Sequence, residues 1–543
     1  MTQRRDDGAA RGQDFPQCAR ISVFVTVKCG VWAMRNRAWP DVVLFLLLSS
    51  AYYGSHYPIA ASNEGSHFAL TRALAEEHTC VIDTFFDYTA GVDFSYRDGR
   101  FYSDRPPGTA FLAVPFHVLG TRVAWARGAD RTLMTSHAVC LLPALAGAWC
   151  VLLLIRVLLM LDLSPRSAWT VGLLYGLASM HWKFSAHLFS HVLTELCTLA
   201  AWYCLLALRS ARGFRLGHAA AAAGALGFST IVQYECIALL PFFALYVAMA
   251  WGRELIEIDG PSVRRAAVLA LAFVAPVSLG LVYHGLCFGA PLSLPYHFQN
   301  PMWAHNASFA AQFGAPLKDG LHMLLLQFPG GYPFGVVALH PVLFVVPWGF
   351  YWFLRERPAA AVAQAAMLIA FVCLMGKYAT AGGGSSGDPR YLFPVFPLMF
   401  VPVAYWYDRF VAARRDERIR VLWEAGFAIL VFVGAFLNFV HFAEFYGHDL
   451  NFKRDITHPS LASREALEAI VGRVFVSRGT LPWLWALLAV GGGIWATVRL
   501  GATMVATTAH RSGRAAAAVA TEPSDRAGSS KAPAAPRSSE SKV

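Results

Sequence analysis

The chain has 543 residues, of which 56% are hydrophobic and only 15% charged, and its formal net charge is +11. Water-soluble chains carry about 25% charge, so a soluble globular domain is excluded. The basic balance does not point to nucleic acid: the arginines flank apolar runs, as orientation-setting membrane loops do, and no nucleic-acid-binding motif accompanies them.

Residues 1–40 read as a cytoplasmic segment in which Met34, followed by Arg35-Asn36-Arg37, is the natural start. No small-residue cleavage site is seen, so the first span is expected to stay attached. Apolar runs of membrane-crossing length follow at 41–59, 134–157, 167–182, 188–208, 217–232, 234–251, 266–286, 335–354, 359–377, 391–408, 421–441 and 481–499. In hydrocarbon every backbone polar group needs an internal partner, so these runs are helices. The expected fold is therefore an all-α polytopic membrane protein of about 12 transmembrane helices, forming one domain over 41–500. The Ala-, Ser- and Pro-rich residues 501–543 read as a disordered cytoplasmic tail. One further apolar stretch, 107–121, is short and holds Pro115 and His117; it is expected to lie in the interface as a helix of the first extracytoplasmic loop, 60–133.

The arginines test this topology. With residues 35–40 in the cytoplasm, Arg156, Arg166, Arg209, Arg212, Arg215, Arg253, Arg355, Arg357, Arg409 and Arg414 all fall on that side, while the short loops opposite hold Lys183 and the stretch from Lys377 to Arg390. This satisfies the positive-inside rule, and passing 107–121 through the bilayer would invert every later loop. Three far-side segments are long, 60–133, 287–334 and 442–480, and offer the polar surface that chemistry on a lipid-linked substrate requires. Of the ten cysteines, Cys140, Cys150, Cys197, Cys204, Cys236 and Cys373 lie in apolar runs and act as small hydrophobes. Cys80 faces the far side and has no obvious partner. There is no CxxC pair and no metal-ligand spacing. No cofactor is required, although a divalent cation is compatible with the acids present.

The first loop opens on Asn63-Glu64, in front of a loosely helical stripe of Phe68, Leu70, Ala73 and Leu74. Asn63 suits an N-cap. Glu64 is then either a partner of the helix dipole or a catalytic acid–base group. Asp98-Gly99 signals a tight turn. Beyond it, Tyr102-Ser103-Asp104-Arg105-Pro106-Pro107-Gly108 sets an acid beside a planar cation that can donate two hydrogen bonds to phosphate. A surface ion pair is the plainer reading of Asp104 and Arg105.

In this order the motifs resemble the first extracytoplasmic loop of GT-C glycosyltransferases, which include protein O-mannosyltransferases and the lipid A aminoarabinose transferase. In that family an Asp-Glu pair follows the first span, and an acid–Lys–Pro-Pro segment closes the loop. Asn63 stands here at the usual catalytic Asp, which leaves Glu64 as the nearest base; Arg105 stands for Lys and keeps the charge. His187 and His191, at i and i+4, resemble a second polar contact of the family. The stretch from Tyr283 through Gly289 and Pro291 to Tyr296 resembles its Tyr-Asn…Phe-Gly-x-Pro…Tyr exit from a span. Gly387-Asp388-Pro389-Arg390-Tyr391-Leu392 resembles the start of a late span, with Arg390 able to clamp a phosphate.

The resemblance implies a glycosyltransferase of the bacterial plasma membrane with an extracytoplasmic active site. Its donor would be a polyprenyl-phosphate-linked sugar, its acceptor a glycan, lipid or protein, and its chemistry one inverting displacement. Glu64, assisted by Asp104, would take the acceptor's proton; Asn63, His67, Tyr102, Arg105, His187, His191, Tyr296 and Arg390 would contact substrate. Two other classes remain. A lipid or solute transporter would show paired, broken helices in related halves, which are not seen. A non-catalytic membrane scaffold would account for Asn63.

Overall fold

The computed structural model describes residues 38–56, 59, 62–210, 216–251, 260–306, 308–327, 335–383 and 387–450. The expected N-terminal segment through residue 37, the span at 481–499, the tail and nearly all of the segment 442–480 lie outside them. Every described residue belongs to one compact unit.

Helix α1 (Ala38–Gly54) covers most of the first expected span, and α2 (Ser62–Arg72) opens the first loop. A hairpin follows, β1 (Ser95–Arg97) with β2 (Arg100–Tyr102), in antiparallel register with Ser95 opposite Tyr102. Its two-residue turn is Asp98-Gly99, both at positive φ (50° and 79°), the conformation a right-twisted hairpin needs. The stretch expected over 107–121 is a longer helix, α3 (Gly108–Arg127), which ends at Gly128 with φ 60°. Nothing between residues 121 and 127 breaks a helix before that glycine takes the left-handed C-terminal position. The next span enters through α4 (Arg131–Val139), capped by Asp130, whose side chain accepts from Leu133 N at 2.6 Å, and crosses as α5 (Leu141–Met160). Ser164 and Pro165 start α6 (Pro165–Leu177) as N-cap and first helical residue.

Apart from shorter helical pieces, the later helices that matter here are α7 (His191–Ser210), α8 (Leu216–Val232), α9 (Leu240–Trp251), α10 (Gly260–Phe288), α11 (Val346–Glu356), α12 (Pro358–Gly376), α13 (Phe400–Trp406) and α14 (Glu417–Leu450). Among the described residues, five helices are long and apolar enough to cross a membrane: Arg131–Met160, His191–Leu208, Val263–Phe288, Pro358–Gly376 and Glu417–Phe439. The other expected spans that fall within the described residues are shorter or broken. Those at 234–251, 335–354 and 391–408 begin as 3₁₀ or single-turn pieces, because Pro241, Pro341, Pro347, Pro389, Pro394 and Pro397 interrupt the ladder.

Only 11% of the apolar window in Val263–Phe288 and 17% of that in Glu417–Phe439 is buried within the protein, against 78% in Arg131–Met160. Such outward apolar surfaces are stable only against lipid or another apolar partner, and they make the chain a multi-pass membrane protein. Loops that the charge pattern assigns to the cytoplasm touch one another: Arg156 pairs with Asp41, Arg357 with Asp162, Arg166 with Glu424 at 2.9 Å, and Arg409 grips Glu356 at 2.7 and 2.8 Å.

At the opposite end, the first loop and the segment after α10 form one roof. Asn300 N donates to Phe94 O at 3.1 Å, Ser95 Oγ to Pro295 O at 2.8 Å, and Trp303 Nε1 to Val92 O at 3.2 Å. Helix α2 lies flat against residues 83–89 because Gly65 has no side chain: a Cβ there would sit 1.8 Å from the carbonyl oxygen of Tyr88. Gly65→Val should therefore destabilise the protein by about 1–3 kcal/mol, the usual cost of overpacking a tight contact. A thermal midpoint in detergent equal to that of the wild type would show that α2 does not dock this way.

Candidate active site

Helix α2 presents Asn63 and Ser66 to the segment that follows the hairpin. Ser66 Oγ donates to Asp104 Oδ1 at 2.9 Å and lies 2.8 Å from Ser103 Oγ. Asp104 Oδ2 accepts from Gln299 Nε2 at 2.8 Å. Arg105 lies between two carboxylates, with Nε 3.2 Å from Asp104 and Nη2 2.6 Å from Asp93. Asp93 in turn accepts from Ser62 Oγ at 2.6 Å. With the Asn63 amide turned to satisfy both groups, its oxygen accepts from Arg105 Nη1 and Nη2 at 3.2 and 3.1 Å. Asn63 is thus one residue inside the helix and faces Arg105 rather than capping α2. Burial pushes the Asp104 carboxyl up to about 6; Arg105 opposes this, and the Asp93 charge adds to it. Burial works against the Arg105 cation, but Asp104 and Asp93 overcome it and hold the guanidinium firmly charged.

Arg105 opens onto a cavity with about 620 Å³ of empty space, part of it continuous with solvent. Its walls are Asn63, Arg105 and Pro106 from the first loop; Ser190 and His191 at the start of α7; Gln233 and Glu235 after α8; Tyr296, Gln299, Gln312 and Phe313 after α10; and Met375, Tyr378, Arg390 and Tyr391 around the end of α12. All of these belong to segments, or ends of spans, that the charge pattern places on the far side.

Arg390 reaches the cavity differently from Arg105. It forms no ion pair among the described residues, and its Nε has no hydrogen-bond partner there. Its guanidinium lies 5.8 Å from the Phe189 ring centroid and 5.4 Å from that of Tyr391. The loop carrying it is anchored by buried charge: Lys183 Nζ donates to Asp388 Oδ2 at 2.7 Å, and His441 Nε2 lies 3.2 Å from the same oxygen. Burial alone would raise the Asp388 carboxyl, but Lys183 and His441 hold it well below the usual carboxylate range.

Of the residues singled out in the sequence, the cavity gathers Asn63, Arg105, His191, Tyr296 and Arg390. Asp104 lies directly behind Arg105. Glu64 points elsewhere on α2, buried, with Oε1 2.9 Å from His187 Nδ1. His67 is fully buried, its ring nitrogens have no hydrogen-bond partner among the described residues, and burial together with Arg105 lowers it to about 3, so it is neutral near pH 7. Tyr102 packs against Phe288 in a small core at 5.4 Å. His187 and His191 do not share a helical face as their spacing suggested. Helix α7 begins only at His191, so His187 turns toward Glu64, while His191 Nδ1 lies 3.2 Å from Gln233 Nε2.

Glu235 was missed, and it is the one carboxylate on the described cavity wall. Its signal was present, since an acid inside the apolar run 234–251 is costly unless it has a function. Asp93, which lies in an unpatterned loop, gave no such signal. Among the described residues no group of three or more His, Cys, Asp or Glu side chains could hold a metal ion.

No protein-family model and no curated protein matches the chain. Among solved structures it is similar to the oligosaccharyltransferase AglB from Archaeoglobus fulgidus, in complex with an inhibitory peptide and a dolichol-phosphate. The identity is 13% and the TM-score 0.45, over 74% of this chain and 56% of that one. It is also similar to ArnT from Cupriavidus metallidurans bound to undecaprenyl phosphate, at 16% identity and a TM-score of 0.45, over 83% of this chain and 77% of that one. The chain spans a little over half the length of AglB.

The raised Asp104 carboxyl has a measurable consequence. It titrates at about 6 in the folded protein, against an ordinary value of 3.8. Between these values the folded state holds a proton that the unfolded state has lost, so the contribution is present at low pH and disappears as pH rises through about 6. Relative to Asp104→Asn, the wild type should lose up to about 3 kcal/mol of stability across that window. Parallel stability-versus-pH curves for the two proteins would contradict the burial of this carboxyl.

Proposed function

We propose that the chain is a glycosyltransferase that moves a sugar from a polyprenyl-phosphate donor to an acceptor at the extracytoplasmic face of the plasma membrane. The observation that supports this most is the cavity wall, which sets two arginines, one carboxylate and a ring of amides and phenols in a single space at the far-side end of the bundle. That composition suits an anionic headgroup carrying a hydroxyl-rich sugar. The reading rests on this cavity and on the motif resemblance, not on the loose likeness to solved structures.

The two cations take different parts. Arg105 is already engaged by Asp93 and Asp104, so its role is to orient. Arg390, held in place by its loop and in ion-pair contact with no carboxylate among the described residues, is the stronger grip on the donor phosphate. As the bond between the anomeric carbon and the phosphate oxygen breaks, the electron pair leaves with the polyprenyl phosphate, and Arg390 offsets the charge that develops there. The acceptor hydroxyl oxygen bonds to the anomeric carbon and gives up its proton. Glu235 takes that proton in this scheme, because it lies on the wall while Glu64 is turned to His187. Glu64 then supports the site by fixing His187, and Asp104 by fixing Arg105. The inverting outcome is what the family resemblance implies.

The test compares lipid-linked sugars in membranes of cells lacking the chain, carrying it, or carrying single variants at equal protein level. Loss of the chain should cause one polyprenyl-phosphate sugar to accumulate. Glu235→Gln should reduce transfer by about 10²–10⁴-fold, the range for a lost general base, and Arg390→Gln should chiefly weaken donor binding. Glu64→Gln should be milder than Glu235→Gln. If no lipid-linked sugar changes in any of these membranes, the transferase reading fails and a transporter or scaffold replaces it.

A further inference from the structure

The first loop meets the outer end of α10 in a small core of its own. Ile82, Phe85, Tyr102 and Ala110 pack there with Tyr283 and Phe288, apart from the main core. Cys287, from the last turn of α10, is buried in the same cluster, and Cys80 from the loop packs against it, close enough for the two thiols to interact. Both are free thiols in this structure.

We propose that Cys80 and Cys287 are joined by a disulfide in the mature protein. Side chains already in contact need little movement to reach bonding geometry. Both cysteines lie on the side that the charge pattern makes extracytoplasmic, where disulfides form and persist. The cluster is also small, so its apolar burial holds two distant segments together only modestly. A bond closing a loop of about 200 residues removes much of the freedom of the unfolded chain.

The oxidant is a thiol–disulfide oxidase, a protein carrying a reactive disulfide in that compartment. One cysteine thiolate attacks this disulfide, breaking its S–S bond and forming a mixed disulfide. The second thiolate attacks the mixed disulfide at the chain's own sulfur and forms the Cys80–Cys287 bond. The oxidase leaves as a dithiol, having accepted two electrons, and two protons leave the chain's thiols. Exchange precedes closure of the cluster, because Cys287 is 3% exposed once it is packed.

The proposal is independent of the transferase reading. The full chain is extracted from its membrane in the presence of an alkylating agent, digested without reductant and mapped by mass spectrometry. A linked pair of peptides carrying Cys80 and Cys287, lost on reduction, is expected; both residues alkylated, or either joined to another cysteine, overturns it. Reductant should also lower the thermal midpoint of the wild type by several degrees and leave Cys80→Ser/Cys287→Ser unmoved. If that double variant does not fold, the peptide map and the wild-type comparison still decide. A linked pair in a protein without transferase activity would keep this inference and defeat the other.

Discussion

The half-buried guanidinium of Arg105, set between two carboxylates and a carboxamide, is what the outer end of this molecule is built around. A cation there is tolerated only because Asp93 and Asp104 lie within 2.6 and 3.2 Å of it, and those acids are tolerated only because Ser62, Ser66 and Gln299 donate to them. Removing one member leaves another buried without compensation, which is far costlier than the pair is worth. The network reaches from α2 across the hairpin to the segment after α10, so the positions of three distant stretches follow from one charge.

The second arginine obeys a different rule. Arg390 makes no ion pair among the described residues; its backbone is located by the neighbouring Asp388, which is bound to Lys183 and His441. One cation is thus satisfied by the protein and the other is held ready by it. A site that must bind and release an anion needs both: a fixed reference for orientation, and a donor whose best partner is the ligand.

Much of this was legible in the sequence because the bilayer imposes a simple code. Apolar length and arginine placement assigned the loops to sides, and the contacts agree: the arginine-rich loops pair among themselves at one end while the cavity gathers the others. Proline explains why the spans at 234–251, 335–354 and 391–408 are broken, although the hydropathy of their side chains reads through such breaks. Side-chain direction was harder. Adjacent residues on a helix point about 100° apart, so Asn63 and Glu64, which read together as a pair, face different neighbours. His187 and His191 were misread because a helical spacing was applied before the helix had begun. Glu235 was legible in principle, as an acid inside an apolar run; Asp93 was not, since its role exists only once Arg105 has folded back upon it.

The roof over the cavity has a consequence for how such a chain can change. Residues 92–95 are stitched to residues 295–303 by one backbone bond, from Asn300 to Phe94, and by two bonds that need particular side chains, Ser95 on one stretch and Trp303 on the other. The two stretches must therefore drift in concert, as one inherited block. Grafting the first loop of a relative onto this chain would bring an edge whose register no longer meets its counterpart, whereas exchanging both together would carry the whole lid intact.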